Sequence, residues 1–167
     1  MKTNGSIYVA AVFAALAGYF VYQWWFNPNR IVKARLGDIA AALSIPPNES
    51  EIDRIARLAR LRKLSTNDVH VKVGGTGPDL TSRDAVLAAM ASLTPPPGGW
   101  NVDFVDVDVR VNADDTARAY LTADVTSRDA QTGQQTLDSR DLMLSFAKQD
   151  GEWLVRDAEV KDLPKAK

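Results

Sequence analysis

The residues from Trp100 onward constrain the fold most, because apolar and polar side chains alternate there almost without interruption. A period of two is the signature of strands with one buried face. Val105, Val107, Val109 and Val111 fall on one side and Asp106, Asp108 and Arg110 on the other. Val102 and Phe104 are out of phase with those valines, which predicts a bulge near Phe104-Val105. Ala117, Ala119, Leu121, Ala123 and Val125 then alternate with Arg118, Tyr120, Thr122 and Asp124, so a second long strand returns antiparallel to the first. Opposed like charges destabilise a sheet, so a register placing Asp108 rather than Arg110 opposite Arg118 is expected. The stretch LDSRDLMLSFAKQDGEWLVRDAEVKDL, Leu137 to Leu163, completes a meander. Asp150-Gly151 supplies the positive φ of its tight turn, and the hairpin is expected to close the edge of the sheet.

Ahead of these strands the periodicity is helical. Val32, Leu36, Ile39 and Leu43 recur at i, i+4, i+7 and i+11, begun by Asn27-Pro28-Asn29 and ended by Ile45-Pro46-Pro47-Asn48. Ser50-Glu51-Ile52-Asp53 has the form of a capping box, and the helix behind it carries Ile52, Ile55, Leu58, Ala59 and Leu61 as its expected apolar face. On that helix Arg54, Arg57, Arg60 and Lys63 form a basic stripe, expected to be solvated or to meet anionic lipid. Val69, Val71 and Val73 predict a short strand, Gly74 to Pro78 a loop, and Thr81-Ser82-Arg83-Asp84 the cap of a third helix with Val86, Ala89, Met90 and Leu93.

Ile7 to Phe26 carries no charge, and about 20 apolar residues are what a helix needs to cross a bilayer. It reads as a membrane anchor with Trp24 and Trp25 at the headgroup level. Ala15-Leu16-Ala17 also has the form of a signal-peptide cleavage site, but the apolar run continues well past it. The expected division is a tail and transmembrane helix over 1–27, one domain over 28–163 and a tail over 164–167. The domain is placed outside the cytoplasm, as for a signal anchor, although Arg30, Lys33 and Arg35 follow the span and pull the other way under the positive-inside rule.

Composition narrows the chemistry. There is no cysteine and one histidine, which excludes disulfides, thiolate catalysis and a multi-histidine metal site within one chain. Lys+Arg 20 against Asp+Glu 21 leaves a net charge of -1, so no overall field favours nucleic acid. No cofactor is implied.

The order helix, helix, short strand, glycine-containing loop, helix and long strands, with the segments VGGTGPDLTSRDAVLAAM and LSFAKQDGEWLVRDAEV, resembles the nuclear transport factor 2-like (NTF2-like, SnoaL-like, cystatin-like) superfamily over about Asn29 to Leu163. The resemblance implies an α+β fold in which a curved antiparallel sheet wraps three helices and leaves a cone-shaped pocket. It includes ketosteroid isomerase-like and limonene epoxide hydrolase-like enzymes, and also members that bind or assemble. In the isomerase-like members a tyrosine on the first helix helps hold an oxyanion. Here the helix from Arg30 to Leu43 has none. The epoxide hydrolase arrangement needs Asp-Arg-Asp around a water, for which Asp106, Asp108, Arg110 and Arg118 are the available residues, but they share the polar face of the strands. His70 lies on the polar side of its strand with no second histidine. Arg140 differs, since it shares a strand face with Leu142, Leu144 and Phe146, and is the candidate pocket residue. No catalytic residue is assigned. The expected function is a membrane-anchored, non-enzymatic binding or scaffold module of the bacterial envelope, with the bilayer and a protein partner or a second copy at the sheet face as partners. The alternative is an enzyme acting on a small apolar substrate in the cone.

Overall fold

The structure is a computed structural model that describes residues 4–25, 27–74, 77–113, 115–129 and 132–161. The side chains of 4–11, 23–25 and 113 lie outside that description, as do all of 162–167, including the expected domain end at Leu163. Helix α1 (Asn4–Trp25) precedes the domain and packs extensively on no other element. Among the described residues no helix is long and apolar enough to cross a membrane. The side chains that open the expected span, and those of Trp24 and Trp25 that close it, are outside the described set.

Helix α2 (Pro28–Leu43) starts where Asn27 accepts a hydrogen bond from the Asn29 N–H and Pro28 takes the first turn, where its missing N–H costs nothing. It buries Val32, Leu36, Ile39, Ala40 and Ala42, three of the four predicted stripe positions and two alanines, while Leu43 is only partly buried. Helix α3 (Glu51–Leu64) is capped by Ser50, whose hydroxyl accepts from the Asp53 N–H at 3.1 Å. Its inward face departs from expectation. Ile52 and Ile55 are 79% and 60% exposed, while Arg57 is buried together with Leu64. Arg57, Leu61 and Leu64 follow the i, i+4, i+7 spacing of one stripe, so burying the two leucines carries Arg57 inward as well. Glu49 meets it there, Nε to Oε1 at 2.7 Å and Nη2 to Oε2 at 3.2 Å, and both side chains are 7% exposed.

Strand β1 (Ser65–Val73) follows α3 without a loop and turns into the two-residue β2 (Asp79–Leu80), an edge strand the sequence did not announce. Helix α4 (Arg83–Ser92) is capped by Ser82, which accepts from the Ala85 N–H. Four long strands complete the chain: β3 (Trp100–Ala113), β4 (Thr116–Arg128), β5 (Gln135–Gln149) and β6 (Glu152–Lys161). They form one six-stranded sheet in the order β2-β1-β6-β5-β4-β3.

The sheet is mixed rather than wholly antiparallel, because β1 lies parallel to β6. The C-terminal hairpin is therefore central, and the edges are β2 and β3. Its two-residue turn is as expected, with Asp150 at φ 51° and Gly151 at φ 85°. The bulge in β3 sits two residues beyond the expected point, where the register shifts between Val105 and Asp108 and Asp106 takes φ 52°. Val102 and Phe104 face the core before it, Val107, Val109 and Val111 after it, and Val105 is left 37% exposed. Arg110 pairs with Arg118, not Asp108 with Arg118, since the short turn between Ala113 and Thr116 fixes the register. The like charges are relieved locally: Arg110 Nε donates to Asp108 Oδ2 at 2.9 Å and its guanidinium lies 5.6 Å from the Tyr120 ring centroid. A second bulge in β6, between the Val155 and Asp157 pairs, moves the inward set from Trp153 and Val155 to Ala158 and Val160.

Candidate functional site

The two bulges curve the sheet around the helices, and the space between them is hollow. A cavity of about 240 Å³ lies between α2, α3 and α4 on one side and the sheet on the other. Ile39, Leu43, Leu61 and Leu64 line it from the first two domain helices, and Val86, Leu87 and Met90 from α4. The sheet contributes Val69, Val71, Phe104, Leu142, Leu144, Val155, Ala158 and Val160. The one polar side chain in the wall, Ser65, turns its hydroxyl to the Leu61 carbonyl at 3.0 Å. Among the described residues the wall thus offers a guest dispersion contact, and its one polar side chain is already hydrogen-bonded.

The cavity continues into an open mouth of about 310 Å³ that shares Leu43, Met90, Phe104, Leu142 and Val160 with it. Leu93, Trp100, Val102, Ala123, Val125 and Arg140 complete the rim. Trp100 is held at the rim by three bonds. Its indole N–H donates to the Leu43 carbonyl at 2.8 Å, and its backbone exchanges both hydrogen bonds with Ile45 at 2.9 Å. Gly99 permits that approach: it is buried at φ +67°, and a Cβ there would come within 2.3 Å of the Ile45 carbonyl oxygen.

Arg140 lies where strand alternation placed it. Along β5 the inward row runs from Phe146 and Leu144, 2% and 3% exposed, through the partly buried Leu142 to Arg140 at the rim. Its side chain is 43% exposed and Nε donates to both oxygens of Asp138, at 3.1 and 3.2 Å. Among the described residues it is the one ionisable side chain lining the cavity or its mouth.

The other sequence candidates are dispersed. Asp106, Asp108, Arg110 and Arg118 are exposed on the far face of the sheet, outside both spaces. His70 contacts the Asp79 carboxylate across the β1–β2 pair, away from the cone. Arg54 and Arg60 are exposed on α3, whereas Arg57 is interior and does not belong to a surface stripe. No group of three or more His, Cys, Asp or Glu side chains is arranged to hold a metal among the described residues. Sequence reasoning missed Trp100 and Met90 as lining residues. The proline-glycine stop before Trp100 and the apolar face of α4 were visible, but not that both converge on one opening.

No family model matches the chain, and no curated protein matches its sequence. Solved structures do match its fold. An NTF2-like protein with a cystatin-like fold from Novosphingobium aromaticivorans superposes with a TM-score of 0.70 at 14% identity, over 90% of this chain and 92% of that one. An NTF2-like protein of unknown function from Pseudomonas putida KT2440 gives 0.60 at 13% identity, over 81% and 86%. A ketosteroid isomerase-like protein from Erwinia carotovora atroseptica gives 0.60 at 15% identity, over 83% and 99%. The chain has the NTF2-like, cystatin-like α+β fold.

Proposed function

We propose that the domain is a binding module that takes a small apolar molecule into the cone, held at a bilayer by α1. The observation that carries this reading is the hollow itself. Apolar side chains that border unfilled space forgo dispersion contacts, which the hydrocarbon of a guest would restore. Isoleucine at Ala158 or phenylalanine at Val86 would recover part of that, yet small residues stand there. An apolar cavity of this kind stays dry and accepts apolar guests.

The lining also supports binding rather than turnover. General acid–base work needs a titratable group within hydrogen-bond reach of the reacting atom, and the inner wall presents none among the described residues. Among the described residues the enzyme reading would have to operate through Arg140, whose guanidinium donates hydrogen bonds and has no acceptor with which to take a proton from a substrate. Support for the tether comes from 22 residues of α1 without a charge, and from Phe13, Phe20 and Tyr22 standing 62–69% exposed. Placement of the domain outside the cytoplasm, in a bacterial envelope, belongs to the same reading. A reporter fused after Lys167 checks it, and a reporter active only in the cytoplasm refutes it.

The binding reading is tested by isolating the full-length chain in lipid nanodiscs and extracting its bound small molecules. An apolar compound recovered near one per chain, and lost in Ala158→Ile, is the expected result. Equal recovery from both proteins would overturn it.

A further inference from the structure

We propose that the guest is an amphiphile with a single carboxylate head, its tail in the cavity and its head on Arg140. The inference rests on the binding reading above and adds the class of ligand. Its ground is the gradient along one face of β5, where Phe146, Leu144 and Leu142 lead outward to Arg140, the one cation at the mouth among the described residues. A neutral hydrocarbon would make no use of that cation, which would keep only its exposed pair with Asp138. A cationic amphiphile would be repelled by it.

Among the described residues Asp138 is the charged group paired with Arg140, and it is the competitor a ligand must replace. Both side chains are substantially exposed, 43% and 58%, and ion pairs of that kind are weak because water screens them. A carboxylate delivered by a tail fixed in the cavity is held at high local concentration against the guanidinium and can pair with it bidentately. Asp138 does not line the mouth, so it does not bar the way. The size follows from the cavity: at roughly 30 Å³ for each water-sized group, 240 Å³ takes about eight heavy atoms of tail. Octanoate is therefore the probe.

Methionine-methyl NMR on the full-length chain in nanodiscs reads the site without disturbing it. The chain has three methionines. Met90 lines both cavity and mouth, whereas Met143 alternates to the opposite face of β5 and serves as the internal control. The expected result is that octanoate and 1-octanol both shift Met90 and leave Met143 in place, with octanoate about tenfold or more tighter, as a charge-assisted hydrogen bond contributes. Octylamine should bind more weakly than the alcohol. In Arg140→Gln the preference for octanoate over octanol should fall below about twofold, and Arg140→Lys should keep part of the preference. Comparing variants in the same nanodiscs cancels partitioning into lipid. Octanol binding without any octanoate preference, or a preference untouched in Arg140→Gln, overturns the head-group assignment and leaves the cavity reading standing. If none of the three probes shifts Met90, the cavity reading falls and the assignment with it.

Discussion

Replacing Ala158 by isoleucine should stabilise the protein while closing its site. Ala158 stands on β6 opposite Leu144, with its side chain in the cavity wall. Isoleucine adds three carbons, and at about 0.8 kcal/mol per buried CH₂ their burial contributes up to about 2.4 kcal/mol. Ordering the larger side chain costs roughly 0.5–1 kcal/mol, and a β-branched residue suits a strand, so the net gain is about 1.5 kcal/mol. For a protein of this size each kcal/mol moves Tm by about 2–4 °C, so an increase of roughly 3–6 °C is expected in thermal unfolding followed by near-UV circular dichroism. Ala119→Ile is the matched control. Ala119 is 0% exposed on β4 and lines neither the cavity nor its mouth, so the added carbons have no space and should cost about 1–3 kcal/mol. If both substitutions lower Tm alike, the cone is packed and has no room for a guest.

Four further outcomes follow from the packing. Glu49→Ala strips the counterion from buried Arg57 and should cost about 3–5 kcal/mol in urea unfolding, whereas the double change Glu49→Met with Arg57→Met should recover most of it. Gly99→Ala forces a Cβ against the Ile45 carbonyl and loosens the Ile45–Trp100 bridge, so Tm should fall and the Trp100 emission should shift to the red as the indole meets water. Arg118→Glu places opposite charges across from Arg110 and should stabilise by about 0.2–1 kcal/mol at low salt, an effect that fades as salt rises. Ile52→Ser and Ile55→Ser remove exposed side chains and should change unfolding free energy by less than about 0.5 kcal/mol.

Most of the fold is legible in local signals. Each domain helix begins at a side-chain cap that can be read directly, Asn27, Ser50 and Ser82, and the Asp150-Gly151 turn has no better local solution than a tight hairpin. What escaped depends on contacts between distant segments. The parallel pairing of β1 with β6 is set by how α4 and the meander pack, and nothing within Ser65 to Val73 encodes it. The hydrophobic residues of α3 point the wrong way because Leu61 and Leu64 outweigh Ile52 and Ile55 in choosing the buried face, and the loop residue that makes Arg57 tolerable inside lies eight positions earlier. The second bulge was not anticipated, although Trp153 and Val155 change phase against Ala158 and Val160 as Val102 and Phe104 do against the later valines. At the site, alternation alone singled out Arg140. The cavity behind it is a property of volumes left unfilled, which no single stretch of sequence records.

A hollow, apolar cone is a binding site for xenon. Crystals of the protein pressurised with xenon should show the gas among Val86, Met90, Leu144 and Ala158, because a dry apolar cavity of this size binds it. The same site should be empty in Ala158→Ile. Ordered, hydrogen-bonded water in place of xenon, or side chains closing the space in the unpressurised crystal, would contradict the claim.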